Sequence, residues 1–180
     1  MAAFVGGEEA QIRSVASETG VDIANLNAPG QIVLSGERQK IESAIALARK
    51  RGIKRAFLLN VAGAFHSRLM ATAEAKLSQD LNHAEIGRPS VTIIANVTAR
   101  PVTDATSVRE TLAQQVAGSV RWVESIEYLI DQEHCDLFLE LGPGQILAGL
   151  VSRIRKGTQV LSISDLKSLE KVLPVIRESR

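Results

Sequence analysis

The sequence predicts an α/β protein in two parts, a ferredoxin-like βαββαβ subdomain over residues 1–62 and a second α/β lobe over residues 63–180. Three observations carry this. Residues 1–62 alternate short apolar runs with two stretches of helical period, each closed by a glycine. From Ser67 onward, longer helical stripes alternate with nearly continuous apolar runs, as parallel strands covered on both faces require. Hydrophobic residues make up 45% of the 180 and charged residues 23%, which fits a folded globular chain rather than a disordered one.

In the first part, Ala2 to Val5 reads as a strand. Glu8 to Thr19 places Ile12, Val15, Ala16 and Thr19 on one helical face, and Gly20 ends it. Val21 to Leu26 and Gln31 to Ser35 are strand-like, joined by the turn signal Asn27-Ala28-Pro29-Gly30. Glu37 to Arg51 carries a stripe of Ile41, Ala44, Ile45 and Ala48 and stops at Gly52; Ala56 to Val61 is the last strand. The order β-α-β-β-α-β is that of two interleaved βαβ halves in one antiparallel sheet.

In the second part, helices are expected over Ser67 to His83, Ser107 to Gly118, Arg121 to Glu133, Gln145 to Arg155 and Ser168 to Glu178. Val91 to Asn96, Asp136 to Leu141 and Gln159 to Ile163 are expected as about three parallel strands, with Gly87 to Pro89 and Ala99 to Thr106 as loops. So small a sheet suggests neighbouring strands outside this chain.

Net charge is +1, with 21 basic and 20 acidic residues, and aromatics are 3%. Neither a general pull toward nucleic acid or anionic membrane nor a base-stacking sheet is expected. No stretch reaches the roughly 18 apolar residues of a membrane helix, and no signal peptide is seen. The one cysteine, Cys135, precludes an internal disulfide and fits the cytoplasm. Cys135 and His134 are expected to face opposite sides of a strand, so they form no dyad, and Cys135 reads as a structural thiol. His66, His83 and His134 lack ligand-like spacing, so no metal site is expected. Arg153, Arg155 and Lys156 read as a solvated helix end.

Three segments remain for chemistry. Ala62-Gly63-Ala64-Phe65-His66-Ser67 joins a strand to a helix, with Ser67 as its cap. A neutral imidazole there suits a general base, although a packed junction histidine is the commoner explanation. Leu139-Glu140-Leu141-Gly142-Pro143-Gly144-Gln145 leaves a strand and opens a helix. It matches no dinucleotide or phosphate fingerprint, and a tight turn explains it more often than a ligand does. Asn25 and Asn27 sit in a turn-forming stretch, where structural roles again come first.

Taken together, Asn25 to Gly36, Gly63-Ala64-Phe65-His66-Ser67-Arg68-Leu69-Met70, Ala95-Asn96-Val97-Thr98-Ala99 and Leu141 to Leu147 resemble four ordered motifs of bacterial malonyl-CoA:acyl-carrier-protein transacylases, with Val120-Arg121-Trp122 in place between the last two. The resemblance covers essentially the whole chain. It implies that residues 63–180 are the C-terminal part of an α/β-hydrolase-like acyltransferase lobe. It implies malonyl transfer from malonyl-CoA to the phosphopantetheine thiol of acyl carrier protein, with no bound cofactor. His66 corresponds to the catalytic base, and Asn25, Asn27, Phe65 and Gln145 are the expected substrate-binding residues. Gly142, Pro143 and Gly144 are the expected loop whose carbonyl orients the histidine. The Gly-His-Ser-x-Gly elbow, the oxyanion-hole glutamine and the carboxylate-binding arginine of the family are not found here. The 180 residues therefore read as a truncated or internally initiated form whose N-terminal half is missing, inactive by itself. A carrier-binding relic, or an acyltransferase fragment of a polyketide or fatty acid synthase, are the alternatives.

Overall fold

A computed structural model describes residues 1–178. It contains eight strands and seven α-helices among the described residues. The chain divides into two compact units, residues 1–125 and 126–180. The expected boundary at 62/63 thus falls inside the first unit.

The first unit is built on a four-stranded antiparallel sheet of order β2-β3-β1-β4, the ferredoxin-like arrangement. Its strands are β1 (Ala2–Val5), β2 (Asp22–Ala28), β3 (Gln31–Ser35) and β4 (Arg55–Leu58). Helix α1 (Glu9–Thr19) follows β1, and α2 (Arg38–Lys50) follows β3. Ile12, Val15, Ile41, Ala44 and Ala48 form one buried cluster with Ala2, Phe4, Ile32 and Leu34 of the sheet. The periodicity that marks the helices is therefore the face they bury. Gly20 ends α1 at φ 65°, and its N–H returns to the carbonyls of Ala16 and Ser17.

After β4 the chain runs through an irregular stretch into a 3-10 turn (Arg68–Met70) and α3 (Ala71–His83). The expected helix from Ser67 is thus tightened in its first turn. A hairpin follows, β5 (Ile93–Ala95) with β6 (Arg100–Val102), then α4 (Ala105–Gln115), capped by Asp104 and Ser107. Here the expectation fails twice. Residues 99–106 are not wholly loop, and β5 pairs antiparallel with β6 rather than joining a parallel sheet. Helix α5 (Trp122–Asp131) starts in the first unit and ends in the second.

The second unit holds β7 (Leu137–Leu141), α6 (Ile146–Ile154), β8 (Gln159–Ile163) and α7 (Leu166–Glu178). Strands β7 and β8 pair in parallel, two strands rather than three. Among the described residues, no helix is long and apolar enough to cross a membrane.

Candidate active site

Segment 63–70 is referenced to β2 at its far end. The Arg68 guanidinium binds both Asp22 carboxylate oxygens, and the Arg68 N–H donates to Asp22 Oδ2 at 3.0 Å. Hydrogen bonding from the Arg68 side chain holds the Asp22 carboxyl below its ordinary range, against the opposing effect of burial. Ser67 is buried; its hydroxyl donates to the Ala64 carbonyl at 2.6 Å and accepts from the Leu69 N–H, capping the 3-10 turn.

Between these anchors, His66 adopts φ 56°, the left-handed region. For a residue with a β-carbon this conformation costs on the order of 1–3 kcal/mol and persists only where the surroundings impose it. The surroundings are the C-terminal end of α4. The His66 N–H donates to the Val116 carbonyl at 3.2 Å, and ring Nδ1 lies 2.9 Å from the Gln115 carbonyl. Helix ends leave such carbonyls unpaired, and they carry the negative end of the helix dipole. A carbonyl can only accept, so Nδ1 carries the proton and Nε2 keeps its lone pair. The ring is thus a half-buried imidazole whose Nε2 can accept a proton.

This corrects the expectation that Gly142, Pro143 and Gly144 supply the orienting carbonyl, because Nδ1 is already bonded to Gln115. The physical reason is local. Helix α4 ends beside His66 and offers free acceptors, whereas the 142–145 turn has a different task. In the second unit, the Glu140 carboxylate accepts from the N–H groups of Leu147 (2.9 Å) and Ala148 (3.1 Å) and from the Ser162 hydroxyl (3.0 Å). Burial alone pushes the Glu140 carboxyl up, but these donors together hold it low. The N-terminus of α6 is therefore occupied by the protein's own anion. Gln145 stands exposed at that helix start, with no side-chain capping bond.

Asn25 is brought toward the His66 support. It sits in a parallel bridge opposite Val120, between the bonds Val120 N–H to Ala24 carbonyl (2.8 Å) and Leu26 N–H to Val120 carbonyl (2.9 Å). Asn25 and Asn27 are half-buried and alternate with buried Ala24, Leu26 and Ala28. Phe65 is 43% exposed beside His66, its ring close against Gly63. A cavity of about 480 Å³ is lined by Gly36, Arg38, Leu58 and the stretch Leu59 to Ala64, which ends two residues before His66.

Residues 133–136 form the irregular connection into β7, so His134 and Cys135 are not strand neighbours as expected. Burial, with the nearby Glu133 and Asp136 charges, pushes the Cys135 thiol up, which disfavours the reactive thiolate. Among the described residues no group of three or more His, Cys, Asp or Glu side chains is arranged to hold a metal ion. Gln115 is the contact of the His66 ring that sequence reasoning missed. Its carbonyl has no side-chain signature, and the only hint was a helix ending near Gly118.

Known proteins share the sequence and the fold of this chain. The acyl transferase domain family matches residues 1–177. The chain belongs to that family. It is 38% identical to a malonyl CoA-acyl carrier protein transacylase of Bacillus subtilis (strain 168), over 99% of this chain and 57% of the relative. An acyl-carrier-protein S-malonyltransferase of Bartonella henselae superposes with a TM-score of 0.92 at 36% identity, over 98% of this chain and 57% of that one. A malonyl-transacylase solved with a type II polyketide acyl-carrier protein superposes with a TM-score of 0.93 at 31% identity, covering 97% of this chain and 57% of that one. The chain thus spans a little over half the length of these relatives.

Proposed function

We propose that this chain contributes the general base of a malonyl transfer from malonyl-CoA to the phosphopantetheine thiol of acyl carrier protein. The observation that carries the reading is the Nδ1 bond to the Gln115 carbonyl, which leaves Nε2 as the acceptor. The nucleophile is a serine hydroxyl supplied by a segment that lies outside these 180 residues. Nε2 takes the hydroxyl proton as the oxygen attacks the thioester carbonyl. The tetrahedral adduct then expels the coenzyme A thiolate, which recovers the proton from Nε2 and leaves a malonyl-serine ester. In the second half, Nε2 takes the carrier thiol's proton, the thiolate attacks the ester, and the serine oxygen leaves and is reprotonated. Phe65 narrows the space beside His66 and disfavours a 2-methyl substituent, a weak discrimination. Asn25 and Asn27, half-buried on β2, and Gln145, exposed at the start of α6, are proposed substrate contacts. The cytoplasm, where a lone thiol such as Cys135 stays reduced, is the proposed location.

The test joins residues 1–180 to the segment of the Bacillus subtilis relative that this chain does not cover. The fusion is given malonyl-CoA and holo acyl carrier protein, and malonyl-carrier is read by mass spectrometry. The expected result is transfer that His66→Ala reduces by roughly 10²–10⁴-fold. A folded fusion that transfers nothing, or a His66→Ala variant as active as its parent, overturns the reading. The 180-residue chain alone is expected to transfer nothing, since a base without nucleophile and oxyanion hole does little.

A further inference from the structure

Ser67 stands next to His66, but its bonding makes it a support and not a second reactive group. It is 1% exposed. Its hydroxyl donates to the Ala64 carbonyl at 2.6 Å, and its oxygen accepts from the Leu69 N–H at 3.4 Å. A serine hydroxyl has one proton to give, and this one is committed to the main chain. The two partners lie on opposite sides of His66 in the chain, Ala64 before it and Leu69 after it. One buried side chain thus ties the segment that enters the histidine to the segment that leaves it.

What it ties is a strained turn. Phe65 and His66 are its central residues, and His66 has φ 56°. A positive φ at the second central position belongs to the turn classes in which glycine normally stands there. Relaxation to the ordinary right-handed region, at about −63°, is a rotation of roughly 120° about the N–Cα bond. With the His66 N–H on the Val116 carbonyl, that rotation swings the β-carbon and the whole ring. The end of α4 receives the ring, but the turn that delivers the ring is closed from Ala64 by the Ser67 hydroxyl. Ser67 itself has an extended backbone (φ −141°, ψ 164°), and its carbonyl accepts from the Met70 N–H at 2.9 Å. The clasp is therefore anchored in the 3-10 turn that follows.

We propose that Ser67 is a positioning residue: its hydroxyl, bonded to the Ala64 carbonyl, keeps a histidine in the left-handed backbone that a turn ordinarily reserves for glycine, and so fixes where the imidazole stands. Its consequence for catalysis rests on the acyl-transfer reading; its consequence for the backbone does not. The test is NMR of the 180-residue chain, read as the nuclear Overhauser contact between the His66 amide and α protons, which a positive φ strengthens. The parent is expected to show a strong contact. Ser67→Ala loses the hydroxyl and is expected to weaken it; Ser67→Thr keeps the hydroxyl and is expected to restore it. A contact as strong in Ser67→Ala as in the parent overturns the proposal, and so does a Ser67→Thr chain no different from Ser67→Ala. Should the variants fail to fold, the parent decides: the Ser67 β-proton couplings must report one fixed rotamer, and averaged couplings overturn the proposal. In the active fusion, Ser67→Ala is expected to lower kcat by roughly 10- to 100-fold with KM for malonyl-CoA unchanged, the pattern of a misplaced catalytic group, and Ser67→Thr to recover it. An unchanged kcat overturns the catalytic consequence. A weakened contact in Ser67→Ala beside a parent fusion that transfers no malonyl sinks the acyl-transfer reading and leaves the positioning claim standing.

Discussion

The β1–β4 sheet and the β7–β8 pair are both made of apolar strands, but they differ in how much of that apolar surface is covered. Helices α1 and α2 close over one face of the first sheet, and Phe4, Ile12, Leu34 and Ile41 lose essentially all exposure. In the second unit, Leu141 is 75% exposed, Ile146 74% and Leu166 71%. Apolar composition stabilises only where it leaves water, by about 25 cal/mol per Å² removed. The first region therefore carries the stability of the described chain. The second displays surface that its sequence pattern expects to bury.

Stability measurements should split the two regions sharply. Phe4→Ala is expected to cost about 3–5 kcal/mol in denaturant unfolding, because it opens a cavity in a packed core. Leu141→Ala in the same chain is expected to stay within about 0.5 kcal/mol. Comparable losses at the two positions would erase the contrast. The fusion described above sharpens it. If the relative's segment covers the second unit, Leu141→Ala and Ile146→Ala become destabilising by about 2–4 kcal/mol each in the fusion while remaining neutral in the 180-residue chain. Neutrality in both contexts would mean that this surface has another use.

A smaller effect concerns association. Exposed apolar side chains beside strands with unpaired edges favour self-association. Sedimentation velocity of the 180-residue chain should show mass rising with concentration, and the double variant Leu141→Lys/Ile146→Glu should reduce it without altering the melting temperature. A parent that sediments as a monomer throughout the micromolar range counts against this.

The same contrast explains what could be read in advance. In residues 1–58 the helical and strand periods coincide with the buried faces, so element order and topology follow from pattern alone. The hairpin β5–β6 was missed because its second strand is three residues long and contains Pro101, which reads as loop. The run Leu137–Leu141 reads as a strand buried on both faces, yet Leu139 and Leu141 are exposed: an apolar pattern records what a strand is suited to bury against, not whether that partner is present. His66 was legible because side-chain chemistry at a strand-to-helix junction has a residue name. The group that orients it was not, since any residue type can offer a main-chain carbonyl. The glycine-rich 142–145 turn drew attention instead, although Glu140 already fills the helix end behind it.

The smallest expected effect lies in the Asp22–Arg68 pair, and its sign is fixed. The Arg68 guanidinium lowers the Asp22 carboxyl in the folded state, against a value of about 3.9 when unfolded. A depressed folded-state value means that the pair's stabilisation is fully present above the unfolded value and is lost as pH falls through the folded one. Arg68 is 69% exposed on its side chain, so screening keeps the contribution modest and sensitive to salt. The melting temperature of the parent should exceed that of Asp22→Asn by a constant margin from neutral pH to about pH 5, and the two should converge in stronger acid. A margin that persists into acid would show that Asp22 holds segment 63–70 by packing rather than by charge. The positive-φ backbone of His66 would then depend chiefly on its bonds to Gln115 and Val116.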